Sequence, residues 1–142
     1  MTTYLDSSAV VKLFLDDEGD GDALRLAIGG SGVFVTSRLT LVETAAALAA
    51  ARRSGRLGAA DHASALASFR HVWAAMEVVE LTAHLAADAA EAADAFGLRA
   101  GDAVQFASVR RIGAEGTVLV AWDARLRAAA LASGIACYPL EV

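Results

Sequence analysis

Cysteine occurs once, as Cys137, so the chain forms no disulfide with itself, and nothing else in it calls for an oxidising compartment. Lysine also occurs once. Lys12 follows Val11 and not a glycine-rich loop, which excludes a Walker A phosphate cradle. No apolar run approaches the ~20 residues of a membrane span. The longest uncharged stretch near the C-terminus, Ala128 to Leu140, is broken by Gly134 and Pro139. The opening Met1-Thr2-Thr3-Tyr4-Leu5-Asp6 has neither a basic n-region nor a long apolar h-region, so no signal peptide is read and a cytoplasmic location is expected. The acidic run from Asp16 to Asp22 resembles a calcium loop up to Gly21, but Ala27 stands where the bidentate glutamate must be. Gly29-Gly30-Ser31-Gly32 fits neither a dinucleotide fingerprint nor a nucleophile elbow. His62, His71 and His84 lack paired ligand spacing, and Cys137 reads as a small buried hydrophobe.

What is present is apolar and acidic. The 142 residues suit one domain, expected over residues 1–142, and suffice to bury a real core. The hydrophobic fraction is 56% and the mean hydropathy +0.47. Much of this is alanine, which favours helix; the remainder suggests apolar surface covered by a partner. A net charge of −5 argues against broad nonspecific duplex binding. The basic residues other than Lys12 are arginines, which suit bidentate phosphate recognition.

Short β-like runs alternate with helical segments. Strands are expected at Thr3–Leu5, Val33–Thr36, Val78–Leu81, Thr117–Ala121 and Ile135–Tyr138. Helices are expected at Ser7–Leu15, at Asp22–Ile28, from a Ser37 or Thr40 cap to about Arg53, and at Ala59–Met76. Others run from a Thr82 cap through Ala95, from Asp102 to about Arg111, and over Ala124–Ala132. Such alternation implies an α/β fold with a central, mostly parallel sheet flanked by helices. In open sheets of this class the site lies outside the carboxyl ends of the strands, at a topological switch point.

Four carboxylates fall where that rule directs attention. Asp6 ends the first strand, Asp123 follows the fourth, Glu43 lies early in the helix after the second, and Asp102 stands at a helix start. Each has an apolar neighbour (Leu5, Trp122, Val42 and Ala103), a costly setting for an unpaired charge. Asp102 and Asp123 could each be only a helix N-cap, and Glu43 alone could be an ordinary surface glutamate. As a set they favour a metal site, because a cation relieves their mutual repulsion. All-oxygen ligation points to Mg²⁺, with Mn²⁺ as a substitute.

The order and context of these acids resemble a known family. Tyr4-Leu5-Asp6-Ser7-Ser8-Ala9, Leu41-Val42-Glu43, Leu98-Arg99-Ala100-Gly101-Asp102-Ala103 and Val120-Ala121-Trp122-Asp123-Ala124-Arg125-Leu126 resemble the successive acidic motifs of PIN domains. Length and layout resemble the VapC branch, the toxins of VapBC toxin–antitoxin pairs. The resemblance implies a three-layer α/β/α sandwich and a Mg²⁺-dependent endoribonuclease. It implies Asp6, Glu43, Asp102 and Asp123 as catalytic metal ligands, with Ser8 in support by hydrogen bonding. It also implies a VapB-type antitoxin partner and a homodimer. Two positions depart from the family pattern: Gly101, where a larger apolar residue often precedes the third acid, and Trp122, where smaller or polar residues are common.

Arg99 and Arg125, each near an acid, are candidates to grip an RNA backbone, and Trp122 is a candidate to stack on an unpaired base. Either arginine could instead be merely solvated, and Trp122 could cover a helix. Phe69, Trp73 and Met76 share one helical face, read as contributing to association, although part of that stripe could pack on the sheet. Rival functions are a PIN-fold nuclease of other nucleic-acid specificity and a non-catalytic PIN-like interaction domain. A phosphoacceptor receiver is disfavoured, since the chain lacks its paired acids near the N-terminus and its late lysine.

Overall fold

A computed structural model describes residues 1–15, 21 and 32–140 of the chain. Five strands, β1 (Thr2–Leu5), β2 (Val33–Ser37), β3 (Glu77–Val79), β4 (Thr117–Val120) and β5 (Ala136–Tyr138), form one sheet in the order β3-β2-β1-β4-β5. Every pairing is parallel. Parallel neighbours need crossovers, and helices supply them on both faces. The helices among the described residues are α1 (Ser7–Lys12), α2 (Arg38–Arg53), α3 (Ala59–Ala74), α4 (Ala83–Phe96), α5 (Ala100–Ile112) and α6 (Ala124–Ala132). None is long and apolar enough to cross a membrane.

Strand alternation divides the core in two. Tyr4, Val35, Leu119 and Cys137 point into a cluster with Leu85, Phe106, Val109 and Leu126 from α4, α5 and α6. Leu5 and Val120 point the other way, into a cluster with Val10, Leu48 and Phe69 from α1, α2 and α3. This is the expected three-layer sandwich. Cys137 is buried, as its apolar context suggested.

Several boundaries shift for identifiable reasons. The first helix stops at Lys12 rather than Leu15, because Leu13 caps it by bonding back to the Val10 and Val11 carbonyls. Leu13 and Phe14 still pack into the second cluster, so the apolar period outlasts the helix. The third strand is Glu77–Val79, not Val78–Leu81: Ser37 pairs with Val79, while Glu80 turns to bind Arg38. The helix expected to open at Asp102 begins at Ala100, with Arg99 at the cap position and Asp102 inside the first turn. Ser37, not Thr40, caps α2, accepting from Leu39 N at 3.1 Å. The expected helix Asp22–Ile28 lies outside the described residues.

The Phe69–Trp73–Met76 stripe packs, at least in part, inward. Phe69 is 1% exposed, and Trp73 and Met76 pack against the second cluster. Phe14 and Trp73 both meet the Phe69 ring edge-on, with centroids 5.8 and 5.9 Å away. Phe69 therefore belongs to the core, and Trp73 and Met76 flank it partly exposed.

Candidate active site

The chain leaves β1 for β2 and β3 on one side and returns for β4 and β5 on the other, so the switch point lies between β1 and β4. Asp6 and Asp123 follow the ends of these two strands. Asp6 is the N-cap of α1: its Oδ1 accepts from Ala9 N at 2.8 Å and from Ser8 Oγ at 2.7 Å. Ser8 thus makes a hydrogen bond to Asp6 of the kind the family resemblance implies. Only 4% of Asp6 is exposed. Burial pushes its carboxyl up to about 7, with the nearby charges of Asp102 and Glu43 adding and the Ser8 and Ala9 bonds opposing.

Asp102 is half-buried, and its carboxyl is also raised, first by burial and then by Asp123. Asp123 caps α6, accepting from Leu126 N through Oδ1 at 2.9 Å. The plain capping reading of Asp123 is therefore realised, while its other oxygen faces the site. For Asp102 that reading fails, because Arg99 occupies the cap position.

The Arg99 guanidinium lies between these two acids, with Nε 3.4 Å from Asp102 Oδ2 and Nη2 3.4 Å from Asp123 Oδ2. The contacts are long and Arg99 is 76% exposed, so each ion pair is weak. The chain thus places a cation between carboxylates that otherwise repel. Glu43 approaches from α2 and touches the position beside Asp102: a Cβ added at Gly101 would stand 2.8 Å from Glu43 Oε1. The glycine that departs from the family pattern makes room for this acid.

The four carboxylates meet as a chain of neighbours: Glu43 and Asp102 both act on Asp6, and Asp123 on Asp102. Among the described residues no three His, Cys, Asp or Glu side chains close to metal-ligating distance. The donors are oxygens only, and the crowding of anions with Arg99 between two of them suits a hard cation.

Arg99 and Arg125 line one shallow depression with Asp123 and Ala124. Trp122 packs on the second cluster with Lys12 Nζ over its ring, 4.8 Å from the centroid. Buried Arg127 donates to the Ala121 carbonyl at 2.9 Å, steadying the strand end before Asp123. Arg127, Gln105 and Thr36 carry no motif that marks them in the sequence. Gln105 is 2% exposed, while Thr36, Thr40 and Thr44 have no exposure at all. The one available signal was a run of hydroxyls four residues apart.

Known proteins are similar to this chain in sequence and in fold. The family model for the PIN domain matches residues 3–132. The chain is similar to Ribonuclease VapC45 of Mycobacterium tuberculosis (strain CDC 1551 / Oshkosh), 39% identical over 98% of this chain and 96% of that protein. Its fold is similar to that of PAE2754 from Pyrobaculum aerophilum, with TM-score 0.65 and 26% identity over 96% of this chain and 89% of that one. It is equally similar to M. tuberculosis VapC20, described as a sarcin-ricin loop cleaving toxin, with TM-score 0.65 and 26% identity over 89% and 94% of the two chains. With the motifs in order and the acids at the switch point, the chain belongs to the PIN-domain family, in its VapC ribonuclease branch.

Proposed function

We propose that residues 1–142 form one PIN domain acting in the cytoplasm as the toxin of a type II toxin–antitoxin pair, an endoribonuclease that hydrolyses RNA phosphodiester bonds. The observation that carries the reading is the row of four acids at the switch point with a cation already between two of them.

Asp6, Glu43, Asp102 and Asp123 would hold Mg²⁺, with Mn²⁺ able to substitute. Bound there, the ion supplies charge neutralisation at the phosphate and a more acidic water as nucleophile. The protein's part is placement. Ser8 and Ala9 fix one oxygen of Asp6, and Leu126 fixes one of Asp123, leaving the second oxygen of each for the site. Arg99, exposed and weakly held, exchanges its acids for a phosphate, and Arg125 grips beside it on the same depression. Trp122, partly exposed next to Asp123 in the chain, would stack on an unpaired base. Water is the nucleophile, and the products are a 5′-phosphate and a 3′-hydroxyl.

A VapB-type antitoxin would cover the site. Exposed Val42, 63% accessible beside Glu43, supports this with an apolar contact next to the acids. Retention of all four acids counts against a non-catalytic interaction domain.

The test is RNA cleavage by purified Asp6→Asn and Asp102→Asn proteins in Mg²⁺, with melting curves to certify folding. Each is expected to lose more than about 100-fold in rate, beyond the loss typical of an outer-shell partner. Chelation should abolish cleavage, Mn²⁺ restore it and Zn²⁺ alone not. Wild-type rates from either folded variant, or cleavage that survives chelation, would sink the reading.

A further inference from the structure

Beneath three of the acids lies a buried hydrogen-bond network. Tyr4 Oη donates to Gln105 Oε1 at 2.6 Å. The Gln105 amide nitrogen donates its two protons to Ser7 Oγ at 2.9 Å and Thr40 Oγ1 at 3.0 Å. Thr36 Oγ1 donates to the Leu5 carbonyl at 2.7 Å and lies 2.8 Å from Thr40 Oγ1. A hydroxyl has one proton. Thr36 gives its proton to Leu5, so Thr40 supplies the proton of the Thr36–Thr40 pair. The bonds thus run in one direction, from Tyr4 through Gln105, Thr40 and Thr36 to Leu5 O.

The anchors sit beside the ligands. Leu5 and Ser7 flank Asp6, Thr40 is one turn before Glu43 on α2, and Gln105 is one turn after Asp102 on α5. Strand alternation puts Tyr4 and Thr36 on opposite faces of the sheet, so Gln105 ties the two helical layers together at the end of β1. Buried networks of this kind hold one geometry when every member is satisfied.

We propose that Gln105 is a positioning residue of the ribonuclease: by binding Tyr4, Ser7 and Thr40 together it sets the spacing of β1, α2 and α5, and so of Asp6, Glu43 and Asp102. The proposal rests on the nuclease reading above. Thr44 supplies a matched control. It lies one turn beyond Thr40 on α2, equally buried, but its Oγ1 has no hydrogen-bond partner among the described residues.

The experiment titrates Mn²⁺ alone into the full chain, following free Mn²⁺ by electron paramagnetic resonance, and measures kcat and KM on RNA in parallel. Gln105→Met and Thr40→Val are expected to bind Mn²⁺ about 10–100-fold more weakly, as loss of ligand-orienting partners does. Their kcat should fall while KM for RNA holds, because Arg99 and Arg125 are untouched. Thr40→Ser, which keeps the hydroxyl, should restore wild-type affinity, and Thr44→Val should never lose it. Wild-type affinity in folded Gln105→Met overturns the proposal. So does a loss in Thr44→Val equal to that in Thr40→Val, which would mark a packing effect. Should Gln105→Met fail to fold, the Thr40 and Thr44 variants decide alone. A wild-type protein that binds no Mn²⁺ would instead defeat the nuclease reading, and this proposal with it.

Discussion

Asp6 is an acid nearly sealed from water, with its carboxyl raised from 3.8 to about 7. Between those values the folded chain keeps a proton that the unfolded chain has released. With divalent ions removed, the Asp6 contribution to stability is therefore fully present below about pH 4 and is lost as pH rises through about 7, a change on the order of a few kcal/mol. The melting temperature of chelator-treated protein should fall across that window, and Asp6→Asn should flatten the fall. Identical profiles for the two proteins would refute this. Binding a cation requires the same proton to leave, so Mn²⁺ affinity should rise with pH over the same range. The acids were legible in the sequence because a charge with apolar neighbours is anomalous on its face. Gln105 was not, because an uncharged amide inside a helix looks the same whether it faces water or holds two protons' worth of buried bonds.

Elements were legible wherever apolar period and capping agreed. The helices α3, α4 and α6 lie close to their expected bounds, each with turn or capping residues at its start. Errors arose where one signal ran on without the other. Leu13 and Phe14 keep the apolar pattern after α1 has ended, since the core needs their side chains whatever their backbone does. The Phe69 stripe was legible as a face, but nothing in its spacing says which surface covers it. Trp122, in the joint between β4 and α6, has contacts on both counts: its ring packs on the second cluster and carries Lys12. Trp122→Ala is expected to weaken single-stranded RNA binding about 10-fold and also to lower the melting temperature. Anisotropy with labelled RNA, beside a melting curve, reads both. Unchanged RNA affinity in the folded variant would remove Trp122 from the substrate path.

For the whole molecule, the strand order was the feature the sequence could not supply, because alternation of elements leaves the sequence of neighbours open. The expected homodimer can be tested at the hollow lined by α4 and α5. Asp88, Glu91, Arg110 and Arg111 line it together with Phe96, which is 38% exposed. Acids and arginines on one patch complement the same patch across a two-fold axis. Light scattering should report a dimer for the wild type and a monomer for Phe96→Ser combined with Arg110→Glu; a monomeric wild type at tens of micromolar would discard the idea. The switch point has a further consequence, one of timing. Asp6 and Glu43 belong to the half of the sheet made first, whereas Asp102 and Asp123 arrive with α5 and the turn after β4. Pairing of β1 with β4 joins residues 2–5 to residues 117–120, so the site closes only after most of the chain has left the ribosome. Until β4 pairs with β1 the row of acids lacks Asp123, so the growing chain carries only an incomplete site.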